Sequence, residues 1–310
     1  MTNHSNREYS IKSFSSVSIL IVGLIMVVVS LYDRQWYDED KIIRNDVKSY
    51  YSYLPATFIY RDISLSFLEA NEDLEKMMWP VRINENEFLI VTTSGLSFLY
   101  SPFFLLGHLY ASISEFEPDG YSLPYRLALQ FASIFYLLLG LVFMRKTLRM
   151  FFHDATVAIT IISVALGTNL FYYSVYEPGM PHVYCFSLIS MIVYQSIKWH
   201  KNNSWQNSAI LGLLFGIVTL IRPTNFLVVF FFVLWGIKSW GDFSARFNLL
   251  FRRSDLILIM ILLFMVVWFP QLLYWKTMTG NWIFYSYGTK DAGFYFLNPQ
   301  IFNILISYKK

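Results

Sequence analysis

Charge is scarce in this sequence. Asp, Glu, Lys and Arg together make up 15% of its 310 residues, against roughly 25% in an ordinary soluble domain, so most of this chain is not built to face water. The net charge of +3 is small and dispersed, which excludes the basic footprint of a nucleic-acid binder. Cysteine is nearly absent. Cys185 stands alone in an apolar stretch, so no disulfide forms within the chain and the residue reads as a small buried hydrophobe. There is no Gly-rich phosphate loop, no HExxH, no Cys/His metal-ligand spacing, no internal repeat and no low-complexity segment, and the motifs of the common soluble enzymes go with them. In their place stand a hydrophobic content of 55% and an aromatic content of 19%.

A helix needs about 20 apolar residues to cross the hydrocarbon of a bilayer. Seven stretches approach that length: 15–32, 127–144, 155–174, 182–199, 207–222, 225–240 and 256–275. The first reads as a retained signal anchor, since no small-residue cleavage site follows it. The fifth and sixth are short and joined through Pro223. An eighth stretch, 95–114, is apolar enough to span but holds Pro102 and His108.

Lys and Arg collect in cytoplasmic loops, and this decides the role of 95–114. If it does not cross, one side receives Arg7 and Lys12, the turn of Arg145, Lys146 and Arg149, then Lys198 and Lys201, and finally Lys238, Arg246, Arg252 and Arg253. If it crosses, the nine basic residues of those turns from Arg145 to Arg253 sit outside, and Arg126 and Arg222 inside. The first arrangement obeys the rule. The expected fold is therefore an all-α polytopic membrane bundle of about seven spans, N-terminus cytoplasmic, in the cell membrane. Its first outer loop, 33–126, is long and acidic, and 95–114 forms an interfacial helix within it. Residues 1–275 make one transmembrane module. The tail 276–310 returns to the outer face and reads as the start of something longer.

Residues with chemical potential gather at the outer ends of the spans. Asp46 and Tyr50 lie one turn apart if the segment RNDVKSYYSYLPATF is helical. Such a carboxylate serves either as a general base on an incoming hydroxyl or as a helix N-cap. Glu177 and His182 flank the turn YEPGMPHVY, whose Pro and Gly residues fix a tight loop. They suit sugar binding or orientation of the base, and equally the capping of two helices. Arg222 opens the turn RPTN, the one basic residue in a short outer turn. A guanidinium at headgroup depth grips a phosphate with paired hydrogen bonds, whether that of a substrate or of an ordinary lipid. Arg126, in DGYSLPYR, is a weaker candidate of the same kind.

In this order the features resemble the GT-C glycosyltransferases, in the branch of protein mannosyltransferases and aminoarabinose transferases. An outer-loop Asp is followed four residues later by Tyr, as Asp46 and Tyr50 are. A Pro- and aromatic-rich helix follows, like SPFFLLGHLY. A span introduced by Arg126 ends in the basic turn RKTLR, a third span leads to the acidic loop YEPGMPHVY, and a Gly-rich span ends in GLLFGIVTLIRPTN. The resemblance covers about residues 15–275 in loose motifs. It implies inverting transfer of a hexose or pentose from a polyprenyl-phosphate carrier, at the non-cytoplasmic face, to a glycan, lipid or protein acceptor. Asp46 takes the place of the family's first-loop acid, Glu177 that of its second-loop acid, and Arg222 that of its phosphate-binding base. Tyr50, Arg126 and His182 would contact substrate. The sequence departs from the family at Val47, where a second acid is common, and at Gly179, which precedes Met180-Pro181 where an Asp is usual. Asp33 also has a Tyr four residues on, and stays a rival to Asp46.

No cofactor is called for by these residues, and a divalent metal is left open. Membrane lipids are the expected surroundings and nucleic acid is not an expected partner. Two other classes fit the composition: a lipid or solute transporter or flippase, and a scaffold whose acidic loop binds a partner. Ion-coupled transport usually sets ionisable groups at mid-membrane and builds from repeated halves; neither is present.

Overall fold

The computed structural model describes residues 13–84, 87–285 and 301–306. Arg7, Lys12, Glu85 and, in the tail, 286–300 and 307–310 lie outside the described residues. The described residues are mostly helical, and the one sheet among them is an antiparallel hairpin, β1 (Val81–Asn84) with β2 (Glu87–Leu89).

The membrane-type helices are α1 (Phe14–Asp33), α6 (Leu123–Leu148), α7 (Asp154–Leu166), α8 (Asn169–Val175), α9 (Pro181–Lys201), α10 (Trp205–Ile221), α11 (Val228–Leu234) and α13 (Ser254–Thr279). The long segment between α1 and α6 supplies α2 (Glu39–Ile42), α3 (Asp46–Phe58), α4 (Glu72–Met78) and α5 (Gly95–Ile113). Outside the loop remain α12 (Trp240–Arg252) and the short α14 (Ile301–Ile306).

Four helices, α1, α5, α6 and α13, are long and apolar enough to cross a membrane, and the α7–α8 pair makes a fifth if counted as one span bent by 60°. The bend falls at Gly167-Thr168, where Thr168 caps α8 by accepting a hydrogen bond from the Leu170 N–H. The sixth apolar stretch, expected over 225–240, is not one helix. A 3-10 turn over Pro223–Leu227 leads into α11, which stops at Leu234. Gly236 then takes a positive φ of 76°, and Ser239 with Asp242 forms a capping box that starts α12 in a new direction.

The pairings show which ends belong together. Helices α6 and α9 run side by side in one direction, Gly140 beneath Phe186 and Ser187, and Phe143 against Tyr194. Helices α10 and α13 do the same, and Gly212 permits the approach. A Cβ there would meet the Met260 carbonyl oxygen at 2.6 Å, the close contact that small residues allow between membrane helices. At one end Arg145 donates to the hydroxyls of Ser13 and Ser15, and Asp154 accepts from Ser15 and pairs with Arg149 at 3.4 Å. At the same end Arg246 donates to His200, and Arg253 to the Asn203 carbonyl. The described basic turns assigned to one side by the sequence are thus gathered at one end of the bundle.

The long loop between α1 and α6 gathers at the other end. Helix α5 starts against the last turn of α10, Gly95 meeting Ile221, and runs back along the first half of α6, so that Leu99 receives the Tyr136 hydroxyl and Gly107 packs on Pro124. Helix α5 therefore lies antiparallel to the first half of α6, and it is one of the four helices long and apolar enough to cross a membrane. Helix α3 differs from a surface helix. Its Tyr50, Tyr51 and Tyr53 are buried in protein, Tyr51 donating to the Gly120 carbonyl at 2.6 Å. After it, Asp62 closes a turn by accepting from the backbone and hydroxyl groups of Ser64 and Ser66. Partial burial pushes the Asp62 carboxyl up, but these hydrogen bonds outweigh it and hold it below the usual carboxylate range.

Candidate functional site

The turn 177–180 is the anchor of the site. Its carbonyls are held from two directions, the Tyr100 hydroxyl of α5 donating to Gly179 and the Tyr184 hydroxyl of α9 donating to Pro178 at 2.9 Å. Gly179 has no room for a side chain, since a Cβ would stand 2.3 Å from a Val47 methyl. The start of α3 is therefore pressed directly onto this turn. Arg44, just ahead of α3, forms an ion pair with Glu177 at 3.0 Å, both groups partly buried.

Asp46 opens α3 and is exposed. It is not the helix cap; Asn45 occupies that position with φ of 50°, which Asn tolerates better than most residues. Tyr50, one turn on, is buried. Its carbonyl accepts from the Ser97 hydroxyl of α5, which locks this face of α3 to α5.

His182 stacks on Tyr173 of α8 with ring centroids 3.7 Å apart. The charges of both Arg222 and Glu177 act on it, and that of Arg222 also reaches Cys185. Arg222 ends α10, half-buried, and the turn after it is fixed by Asn225, which donates to the Val218 carbonyl and to Cys185 Sγ. Neither the Arg222 guanidinium nor the Asp46 carboxylate has a hydrogen-bond or ion-pair partner among the described residues.

Glu177 and His182 flank one turn, the charge of Arg222 acts on His182, and Asp46 and Tyr50 lie on the helix that packs against that turn. Arg126 stands apart. Its guanidinium donates to the carbonyls of Trp36, Tyr121 and Tyr37 at 3.1–3.3 Å, and its residue is 6% exposed. It ties the segment after α1 to the head of α6, in the wall of a cavity of about 440 Å³ that Glu39, Asp40, Glu117 and Asp119 make acidic. Asp33, the rival acid, closes α1 and its carboxylate accepts from Gln35 at 2.6 Å.

Three residues of the site were not foreseen. Arg44 lies two positions before Asp46, but only the fold reveals its partner 133 positions away. Tyr100 and Tyr173 were visible only as members of aromatic-rich stretches. Among the described residues no group of three or more His, Cys, Asp or Glu is arranged to hold a metal ion. Compared with family models, curated proteins and solved structures, the chain matches none.

Proposed function

We propose that this protein is a membrane glycosyltransferase of GT-C type that takes its sugar from a polyprenyl-phosphate carrier at the non-cytoplasmic face. In this reading seven segments cross: α1, α6, α7–α8, α9, α10, the Pro223–Leu234 segment and α13. The basic end lies in the cytoplasm. The observation that carries the reading is the pairing of an unpartnered carboxylate, Asp46, with an unpartnered guanidinium, Arg222, at the loop end. Between them stands the Glu177–His182 turn.

The chemistry follows from charge. Asp46 takes the proton of the acceptor hydroxyl as its oxygen bonds to the anomeric carbon. The bond from that carbon to the carrier phosphate breaks on the opposite face, and the electron pair leaves with the phosphate, which needs no proton. Arg222 stabilises the charge that grows there, usually the largest single contribution to catalysis. Glu177, neutralised by Arg44, keeps the turn in place, and His182 on Tyr173 presents a flat polar surface suited to a sugar.

The test is incubation of the detergent-purified protein with a panel of polyprenyl-phosphate-linked hexoses and pentoses, with release of the carrier phosphate as the readout. One donor is consumed by the wild type, and Asp46→Asn and Arg222→Ala each lose at least about a hundredfold in rate. Near-normal turnover by Asp46→Asn removes that residue as the base. Relocation of the donor across the bilayer without cleavage makes the protein a flippase instead.

A further inference from the structure

Helix α12 buries none of its residues within the protein, yet one side of it is strongly apolar. Trp240, Phe243, Phe247 and Phe251 recur every three or four positions and so share an arc of about 80° of the helix surface. Their rings form a strip, with centroids 5.8 Å apart for Trp240–Phe243 and 4.7 Å for Phe243–Phe247. The strip is uncovered: Trp240 is 86% exposed and Phe251 77%. At 13 residues the helix is too short to cross a bilayer.

Two arginines fix its position. Arg246 donates to His200 at the end of α9, and Arg253, just past α12, donates to the Asn203 carbonyl in the turn that follows. Between those arginines the helix advances about 10 Å, whereas their partners sit together where α9 ends. Helix α12 therefore lies across the end of the bundle. Helix α13, long and apolar enough to cross a membrane, begins at Ser254, directly after Arg253. The last turn of α12 thus stands where a bilayer has its headgroups.

Charge indicates what lies against it. Lys238 and Arg252 stand at the two ends of the strip, both exposed. Neither side chain has a hydrogen-bond or ion-pair partner among the described residues. The nearby acids are engaged, Asp242 in the capping box with Ser239 and Asp255 with Arg253. Lys146, Lys198 and Lys201 are exposed at the same end. A second copy of this surface would set like charges against one another, and water alone leaves the aromatic strip unburied. Anionic phospholipid satisfies both features, its phosphates meeting the cations and its acyl boundary the rings. An apolar groove of about 1070 Å³ beside α12, lined by Phe247, Leu250 and Phe251 on one side and Ile257 and Ile261 of α13 on another, leaves room for acyl chains. We propose that α12 is an in-plane anchor that seats this end of the protein on anionic phospholipid, with Lys238 and Arg252 on the phosphates. The anchor requires α13 to lie in a membrane and is independent of the transferase reading.

The test uses the full chain carrying Cys185→Ser and Ser244→Cys, labelled at position 244 with nitrobenzoxadiazole. Ser244 is exposed at the edge of the strip, one turn beyond Trp240. The protein is reconstituted in vesicles of equal parts phosphatidylglycerol and phosphatidylcholine, with bromine on the chains of one lipid or the other. Bromines near the headgroup quench the label more strongly than bromines near the chain end. Brominated phosphatidylglycerol quenches about threefold more effectively than brominated phosphatidylcholine, and added salt lowers that ratio. Lys238→Gln with Arg252→Gln brings the ratio close to one while thermal unfolding stays unchanged. Absence of quenching, stronger quenching by the deeper bromines, equal quenching by the two lipids before the double change, or a ratio that survives it overturns the proposal. So does crosslinking between copies at the Ser244→Cys position with the label shielded from both lipids, which assigns the strip to self-association.

Discussion

The two ends of the bundle use charge in opposite ways. At the basic end four of the five described arginines are occupied. Arg145 holds the cap of α1, Arg149 pairs with Asp154, and Arg253 pairs with Asp255. Arg246 donates to the carbonyls of Phe232, Val233 and Trp235 and to His200, closing the C-terminal end of α11 where the helix dipole favours a cation. At the loop end Arg44 and Arg126 are similarly spent on structure, while Asp46 and Arg222 have no described partner. The contrast teaches where to look for chemistry: at the groups the scaffold does not consume.

The sharpest way to break this comparison is to remove one arginine from each end. Arg222→Ala is expected to reduce transfer at least about a hundredfold while shifting unfolding in detergent by less than about 0.5 kcal/mol, the usual range for a group outside any network. Arg246→Ala reverses the pattern, destabilising by about 2 kcal/mol through the loss of charge-assisted hydrogen bonds with little change in turnover at a temperature where the variant stays folded. If Arg222→Ala unfolds as readily as Arg246→Ala, the distinction between the ends is lost.

Next in size is Gly179→Ala. Its methyl group would strike Val47, whose buried, β-branched side chain has little freedom to turn, at a cost of about 1–3 kcal/mol. Adding Val47→Ala should recover most of it, and additive losses in the double variant would show that α3 does not press on the turn. Arg44→Ala should cost about 1 kcal/mol, in the range of a partly exposed ion pair, and the same loss should be seen in Glu177→Gln, with little added in the pair.

The smallest effect is one of pH. The Asp62 carboxyl is held low in the folded protein by Ser64 and Ser66, so its contribution is present above the unfolded pKa of about 4 and is lost as pH falls through the lower folded value. Asp62→Asn should therefore flatten the acid limb of a stability–pH curve measured below about pH 4. An unchanged limb would show that the turn does not depend on the carboxylate.

Much of the scaffold was legible in the residues. Runs of apolar side chains long enough for lipid produce helices wherever they occur, and the Lys and Arg positions sorted one end of each from the other. The basic turns do meet at one end, and 95–114 forms a helix, one that its length and apolarity would also let cross a membrane. The break in the sixth stretch was also signalled, because Ser239 followed by Asp242 three residues later is a helix-start pattern, but hydrophobicity alone carried that stretch on to 240.

Local spacing fixed what could be known locally: that Asp46 and Tyr50 share a helix face, that the turn after Glu177 is tight, and that Arg222 stands at a helix end. Tertiary structure decided which charges remained available. Arg126 and Arg222 read alike as guanidiniums beside apolar helices, yet one meets three carbonyls and the other none, because carbonyl groups become partners only when distant loops are folded against them. The same is true of Gln271, an ordinary polar residue within an apolar helix until folding brings the Ser94 backbone N–H to its oxygen. Periodicity sets which side of a helix a residue occupies; only packing determines whether its hydrogen bonds are already made.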